Sequence, residues 1–369
     1  MNGNPLVKLG QLGQSPWYDF ITRDLIASGD LARLIAEDGL LGMTSNPTIF
    51  EKAVAGSQCY DEDIRRLSEQ GAAPAEIFER LSVADVQAAC DAFSSVYDAS
   101  SGCDGLVSLE VSPALASDTA ATIAEAKRLW AAVARRNVMI KIPGTPAGLP
   151  AIAESIAAGI SVNVTLLFSV ERYGQVIDAF LDGMERRLEG GGPLGPVASV
   201  ASFFVSRVDA KIDPLLDRLG DPRGLRGKIA IANAHAAYRL FEWSLGTPRW
   251  ARLAKAGARP QRPLWASTST KDPRYPDTHY VEALVAPRTV NTMPPETFDA
   301  YRDHGRPAVR IREGMAAAPG LLKALAEAGV DLAAATGELE AEGVVKFAAS
   351  YHSLLAGIEA KATVLSTRY

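Results

Sequence analysis

Cysteine is scarce: Cys59, Cys90 and Cys103 are the only three in 369 residues, and no two have C-x-x-C spacing. An odd, unpatterned set excludes a disulfide framework and fits a reducing compartment, so a cytoplasmic protein is expected. Histidine is almost as rare. The four residues His235, His279, His304 and His352 fall in no ligand spacing, and no H-E-x-x-H occurs, which argues against a histidine-held metal. Neither sign of charge dominates, since 38 basic and 43 acidic residues intermix to a formal net charge of -5. That balance leaves no broad basic face for nucleic acid or an acidic membrane surface. Long apolar runs are also missing, and MNGNPLVKLGQLGQSPWYDF at the start has no apolar stretch of signal-peptide length. No G-x-G-x-x-G follows a strand pattern and no G-x-x-x-x-G-K-[ST] occurs, so dinucleotide-binding and P-loop readings lack support. The expected partner is a small molecule, with no nucleic acid and no membrane.

What is present is alternation. Short apolar runs separated by helical stretches mark βα units around a parallel sheet. Eight runs qualify as strands, near 16–20, 41–45, 105–111, 138–142, 160–165, 197–205, 263–268 and 281–286. Between them, 118–136 sets Ile123, Ala126, Trp130 and Val133 on one helical face, and 169–188 does the same with Tyr173, Ile177, Phe180, Met184 and Leu188. After about 306, strands give way to Ala- and Leu-rich helical sequence, read as helical packing around one edge. With no internal repeat or linker, residues 1–369 read as a single (β/α)8 barrel domain of the α/β class, with extra helices towards the C-terminus.

One residue breaks the pattern. VMIKIPGTP (138–146) places Lys141 inside an apolar run that stops at a Pro-Gly turn. An ammonium on a buried strand is costly unless it is paired, neutralised or able to snorkel to water. Strand side chains alternate faces, so Lys141 lies opposite Val138, Ile140 and Ile142. By the same parity Leu106, Ser108 and Glu110 oppose Val107, Leu109 and Val111, and Ser161, Asn163 and Thr165 oppose Ile160, Val162 and Val164. In a barrel the aliphatic face meets the helices and the other points inside, so these polar groups converge at the C-terminal mouth. Asp19, Ser45, Asn46, Ser202 and Ser267 end other strands in comparable positions. A lysine ringed by carboxylates, amides and hydroxyls is a site. Neutral lysine attacks carbonyls to form a Schiff base, an electron sink that permits cleavage of the neighbouring carbon–carbon bond, and Glu110 and Asp19 are suitable proton carriers. Arg207, beyond the sixth strand where a helix should begin, and Lys271, after the seventh, supply charge for an anion such as phosphate.

Together these residues resemble one family. LGMTSNPTIFEKAV (41–54), LVSLEVSPALASD (106–118), VMIKIPGTPAGLPAI (138–152), ISVNVTLLFS (160–169), ASVASFFVSRVDAKID (198–213) and the stretch 264–294 are similar to transaldolases of the longer bacterial and actinobacterial branch. The resemblance implies a class I aldolase-type barrel with no metal or organic cofactor. It implies transfer of a dihydroxyacetone unit from a ketose phosphate, sedoheptulose 7-phosphate or fructose 6-phosphate, to an aldose phosphate in the pentose phosphate pathway. Lys141 would be the Schiff-base lysine, Asp19 and Glu110 the proton-handling carboxylates, and Thr165 the residue that positions a catalytic water. Asn46, Asn163 and Ser202 would bind the dihydroxyacetone portion, Phe204 would line the pocket, and Arg207 would bind phosphate. Where shorter members carry a further arginine after the seventh strand, this sequence offers Lys271. The alternatives are a fructose 6-phosphate aldolase or a silent sugar-phosphate-binding barrel, and a monomer or homodimer is expected.

Overall fold

The computed structural model describes residues 3–221 and 223–366. Eight parallel strands close into a barrel in sequence order: β1 (Gln14–Tyr18), β2 (Gly42–Met43), β3 (Leu106–Glu110), β4 (Val138–Pro143), β5 (Val162–Leu167), β6 (Ser199–Phe204), β7 (Arg262–Ala266) and β8 (Thr289–Met293). β1 pairs with β8 to complete the ring, with Gln14 opposite Thr289 and Tyr18 opposite Met293. Strand residues are buried on both faces, as a parallel sheet sheathed in helices requires.

Seven of the expected strands are found, shifted by one or two residues at their ends. The eighth requires a correction. VEALVA (281–286) is not a strand: it overlaps the helix His279–Ala283, and β8 follows at Thr289–Met293. Val281, Leu284, Val285 and Ala286 are fully buried, so that apolar run fills the layer outside the sheet. The true strand, TVNTM, is more polar because Asn291 and Thr292 point at partners: Thr268 Oγ1 donates to Asn291 Oδ1 at 2.9 Å, and the Thr292 and Thr44 hydroxyls meet at 2.8 Å.

The helices begin where their caps dictate. Ser169 Oγ accepts from the Arg172 N–H at the start of helix Val170–Glu189, and Asp118 caps Thr119–Val133 through the Ala121 N–H. Asn46 caps the helix Pro47–Gly56, with Pro47 in its first turn. The helix after β4, Gly148–Ala157, starts at a residue with no room for a side chain: a Cβ on Gly148 would lie 1.9 Å from the Pro143 carbonyl oxygen.

The sequence beyond 306 forms two helices, Ile311–Glu327 and Leu332–Ser366, while residues 367–369 lie outside the described residues. The second, the long helix, is not confined to the barrel's edge. Ion pairs from Glu338 and Glu342 to Lys211 (2.7 and 2.8 Å) and from Glu340 to Arg172 (3.1 Å) hold one part to the helices after β6 and β5. On the far side, Ser350 and Ser353 hydrogen-bond Thr48 and Glu51 of the helix after β2. It therefore crosses the C-terminal mouth. Gly343 allows the approach, because a Cβ there would meet Leu166 Cδ2 at 3.0 Å. Among the described residues, no helix is long and apolar enough to cross a membrane.

Candidate active site

A cavity of about 430 Å³ opens at the C-terminal ends of the strands. Lys141 lies at its floor with its side chain 6 % exposed, the Nζ donating to the Ser45 carbonyl at 3.0 Å and standing 3.5 Å from Glu110 Oε2. The lysine therefore points into the barrel, as strand parity requires. At 3.5 Å the carboxylate is an ion-pair partner without a formed hydrogen bond, so Oε2 has no hydrogen-bond partner among the described residues. Burial pushes the Glu110 carboxyl up to about 7, against the opposing pull of the Lys141 charge and with a small upward push from Asp19. Glu110 is thus poised to give or take a proton near neutrality.

Around this pair the other named residues divide into two groups. Asp19, Asn46, Thr165, Ser202, Phe204, Arg207 and Lys271 line the cavity with Lys141. Asp19, one residue past β1, accepts from Thr44 Oγ1 at 2.7 Å, and its own N–H donates to the Met293 carbonyl. Thr165 Oγ1 is buried and unpartnered among the described residues, which leaves it free for a water or substrate oxygen. Asn46 Oδ1 is committed to the Ile49 N–H at 3.1 Å, so its amide N–H groups are what it can offer a ligand.

Glu110 and Asn163 do not line that cavity. Glu110 reaches the lysine from the side, next to a separate chamber of about 40 Å³ that Ser45, Asn46, Glu125 and Tyr351 also line. Asn163 sits one layer deeper, donating to Ser108 Oγ at 3.0 Å and accepting from Ser202 Oγ at 2.7 Å. It orients Ser202, which does reach the cavity.

The outer cavity is electropositive. Arg207, in the first turn of helix Ser206–Arg218, has no ion-pair or hydrogen-bond partner among the described residues, and its guanidinium stands 5.1 Å from the Phe204 ring centroid. Burial lowers its proton affinity. Burial, then the Arg207 charge, does the same to Lys271, whose Nζ donates to Ser269 Oγ at 2.7 Å. Two cations without an ion pair among the described residues, Arg207 in the first turn of its helix and Lys271 in the loop after β7, are the chemistry that an anion site requires.

The sequence reading missed Thr44, Lys52, Glu296 and Phe347, all of which line the cavity. Thr44 lies within the TSNPT stretch and was accessible to strand-end reasoning. Phe347 belongs to the long helix, and no sequence signal marks it. Its ring centroid is 5.8 Å from Lys141 Nζ, across 206 positions of chain.

Comparison with known proteins identifies the family. A family model described as Transaldolase/Fructose-6-phosphate aldolase matches residues 16–358. The transaldolase of Acidothermus cellulolyticus is 53 % identical over 359 residues, covering 96 % of each chain. That of Frankia alni is 51 % identical over 358 residues, also with 96 % of each covered. Transaldolase 2 of a Nostoc species is 46 % identical over 376 residues, covering 98 % of this chain and 99 % of its own. With a strand lysine at the mouth of an eight-stranded barrel and likeness along nearly its whole length, this chain belongs to the transaldolase/fructose-6-phosphate aldolase family.

Proposed function

We propose that the chain is a transaldolase that moves a dihydroxyacetone unit from a ketose phosphate to an aldose phosphate through a Schiff base on Lys141. The Lys141 amine adds to the ketose carbonyl, and the resulting carbinolamine loses water as the Glu110 carboxyl gives up a proton to the departing hydroxyl. Asp19 then removes the proton from the hydroxyl on the carbon two positions from the imine carbon. That carbon becomes the aldehyde of the departing aldose as its bond to the intervening carbon breaks, the electrons of that bond flow into the protonated imine, and the donor aldose leaves. The enamine left on Lys141 attacks the acceptor aldehyde while Asp19 returns its proton. Finally, a water held by Thr165 and deprotonated by Glu110 hydrolyses the imine and frees the new ketose.

Asn46 and Ser202, the latter oriented by Asn163, fit the hydroxyls of the three-carbon unit, and Phe204 walls it. Arg207 and Lys271 fit the phosphate. The reading rests on the amine of Lys141 standing on the cavity floor beside a carboxyl raised to about 7. The chain acts, on the same proposal, as one barrel domain in the cytoplasm, monomeric or homodimeric, a choice light scattering decides.

Borohydride supplies the test. Incubation with fructose 6-phosphate followed by reduction should leave a stable adduct on the peptide that contains Lys141, and Lys141→Ala should fold, form no adduct and show no turnover. An adduct on another lysine, or turnover by that variant, would remove the assignment.

A further inference from the structure

A transferase of this kind faces a problem that an aldolase does not. Its enamine must wait for an acceptor aldehyde without meeting water. Protonation of the enamine carbon gives an iminium ion, and addition of one water then releases dihydroxyacetone and restores the lysine ammonium, so one proton and one water suffice to end the transfer. The barrel strands supply polar side chains to the floor and apolar Phe204 to one wall, but none of them covers Lys141 from above.

The long helix does. Its residues Gly343, Phe347 and Tyr351 recur at four-residue spacing and so share a face. That face lies across the mouth: Gly343 against Leu166, Phe347 with its ring centroid 5.8 Å from Lys141 Nζ, and Tyr351 edge-on to Phe78 beside the chamber next to Glu110. The ring is half-buried and lines the cavity opposite the catalytic floor. At that separation it also favours a positive nitrogen below it, which describes both the ammonium and the protonated imine. The helix is held by ion pairs through Glu338, Glu340 and Glu342 and by hydrogen bonds through Ser350 and Ser353, none of which involves Phe347. Trimming the ring therefore leaves the helix anchored.

We infer that Phe347 is the specificity-determining residue that shields the Lys141 enamine from water and so commits the enzyme to transfer over release of free dihydroxyacetone. This rests on the Schiff-base reading above. The measured quantity is a ratio: free dihydroxyacetone formed from fructose 6-phosphate alone, divided by the rate of transfer with erythrose 4-phosphate present. In Phe347→Ala the ratio should rise at least tenfold over the parent, with Phe347→Leu in between. Val345→Ala, on the same helix at a residue 67 % exposed to solvent, should match the parent. A ratio unchanged in Phe347→Ala, including a parallel fall of both rates, overturns the inference, because a purely structural role slows both reactions together. Should the alanine variant fail to fold, an unchanged ratio in Phe347→Leu overturns it equally. Absence of a borohydride adduct in the parent would instead remove the Schiff-base reading itself, and the two failures are thereby distinguished.

Discussion

Glu110 carries its proton to higher pH in the folded chain than in the unfolded one, because its carboxyl is taken out of water and the Lys141 charge offsets only part of that cost. Between about pH 4.5 and 7 the folded state therefore binds more protons than the unfolded state, and this residue's contribution to stability falls as pH rises through that window. Glu110→Gln should flatten that limb in urea titrations repeated across pH. Removing the ammonium should act in the opposite sense to the pairing. In Lys141→Met the opposing charge is gone, and the Glu110 titration should move above 7, which carbon-13 NMR of the labelled carboxyl would follow. A titration left in place or moved down would mean that Lys141 is not the partner the 3.5 Å separation indicates.

Among the elements, β4 and its sequel show how closely local sequence sets the position of chemistry. The apolar run VMIKIP holds Lys141 on the inner face, and the chain then turns through Gly144 and Thr145 into a helix that begins at Gly148. Gly148→Ala would drive a methyl group into the Pro143 carbonyl, a backbone atom that cannot step aside. A cost of about 1–3 kcal/mol is expected from such overpacking, seen as a lower urea midpoint at unchanged slope. An unchanged midpoint would mean that the β4 turn is more plastic than its geometry allows. The same elements show what a sequence reveals and what it hides. β3, β4 and β5 were legible because alternation within each separates aliphatic from polar residues, and parity alone placed Glu110, Lys141 and Thr165 on the inner face. β8 was hidden because its residues are partly polar while the neighbouring VEALVA, which is apolar for a different reason, mimics a strand. Phe347 was hidden more deeply: its function comes from where a helix lies in space, and a phenylalanine on a helix face ordinarily means core.

At the scale of the molecule, the mouth gathers Lys52, Lys141, Arg207 and Lys271 against Asp19 and Glu296. A chain with a formal net charge of -5 thus keeps a locally positive basin for anionic substrates. Inorganic phosphate should bind the folded state there and raise the melting temperature, on the order of 2 °C at tenfold over its dissociation constant. Arg207→Ala should abolish most of that rise, and a rise of the same size in the variant would place the anion elsewhere. The strand ring itself has a kinetic consequence. Gln14 Nε2 reaches Thr289 Oγ1 across 275 positions of chain at the β1–β8 seam, and the Asp19 backbone is fastened to Met293 at that seam's upper end. Contacts this distant in sequence form late when a denatured chain is returned to buffer. Until they do, the Lys141 amine on β4 lacks Asp19, the second proton carrier proposed above, so the first reappearance of turnover serves as a clock for zipping the last pair of strands.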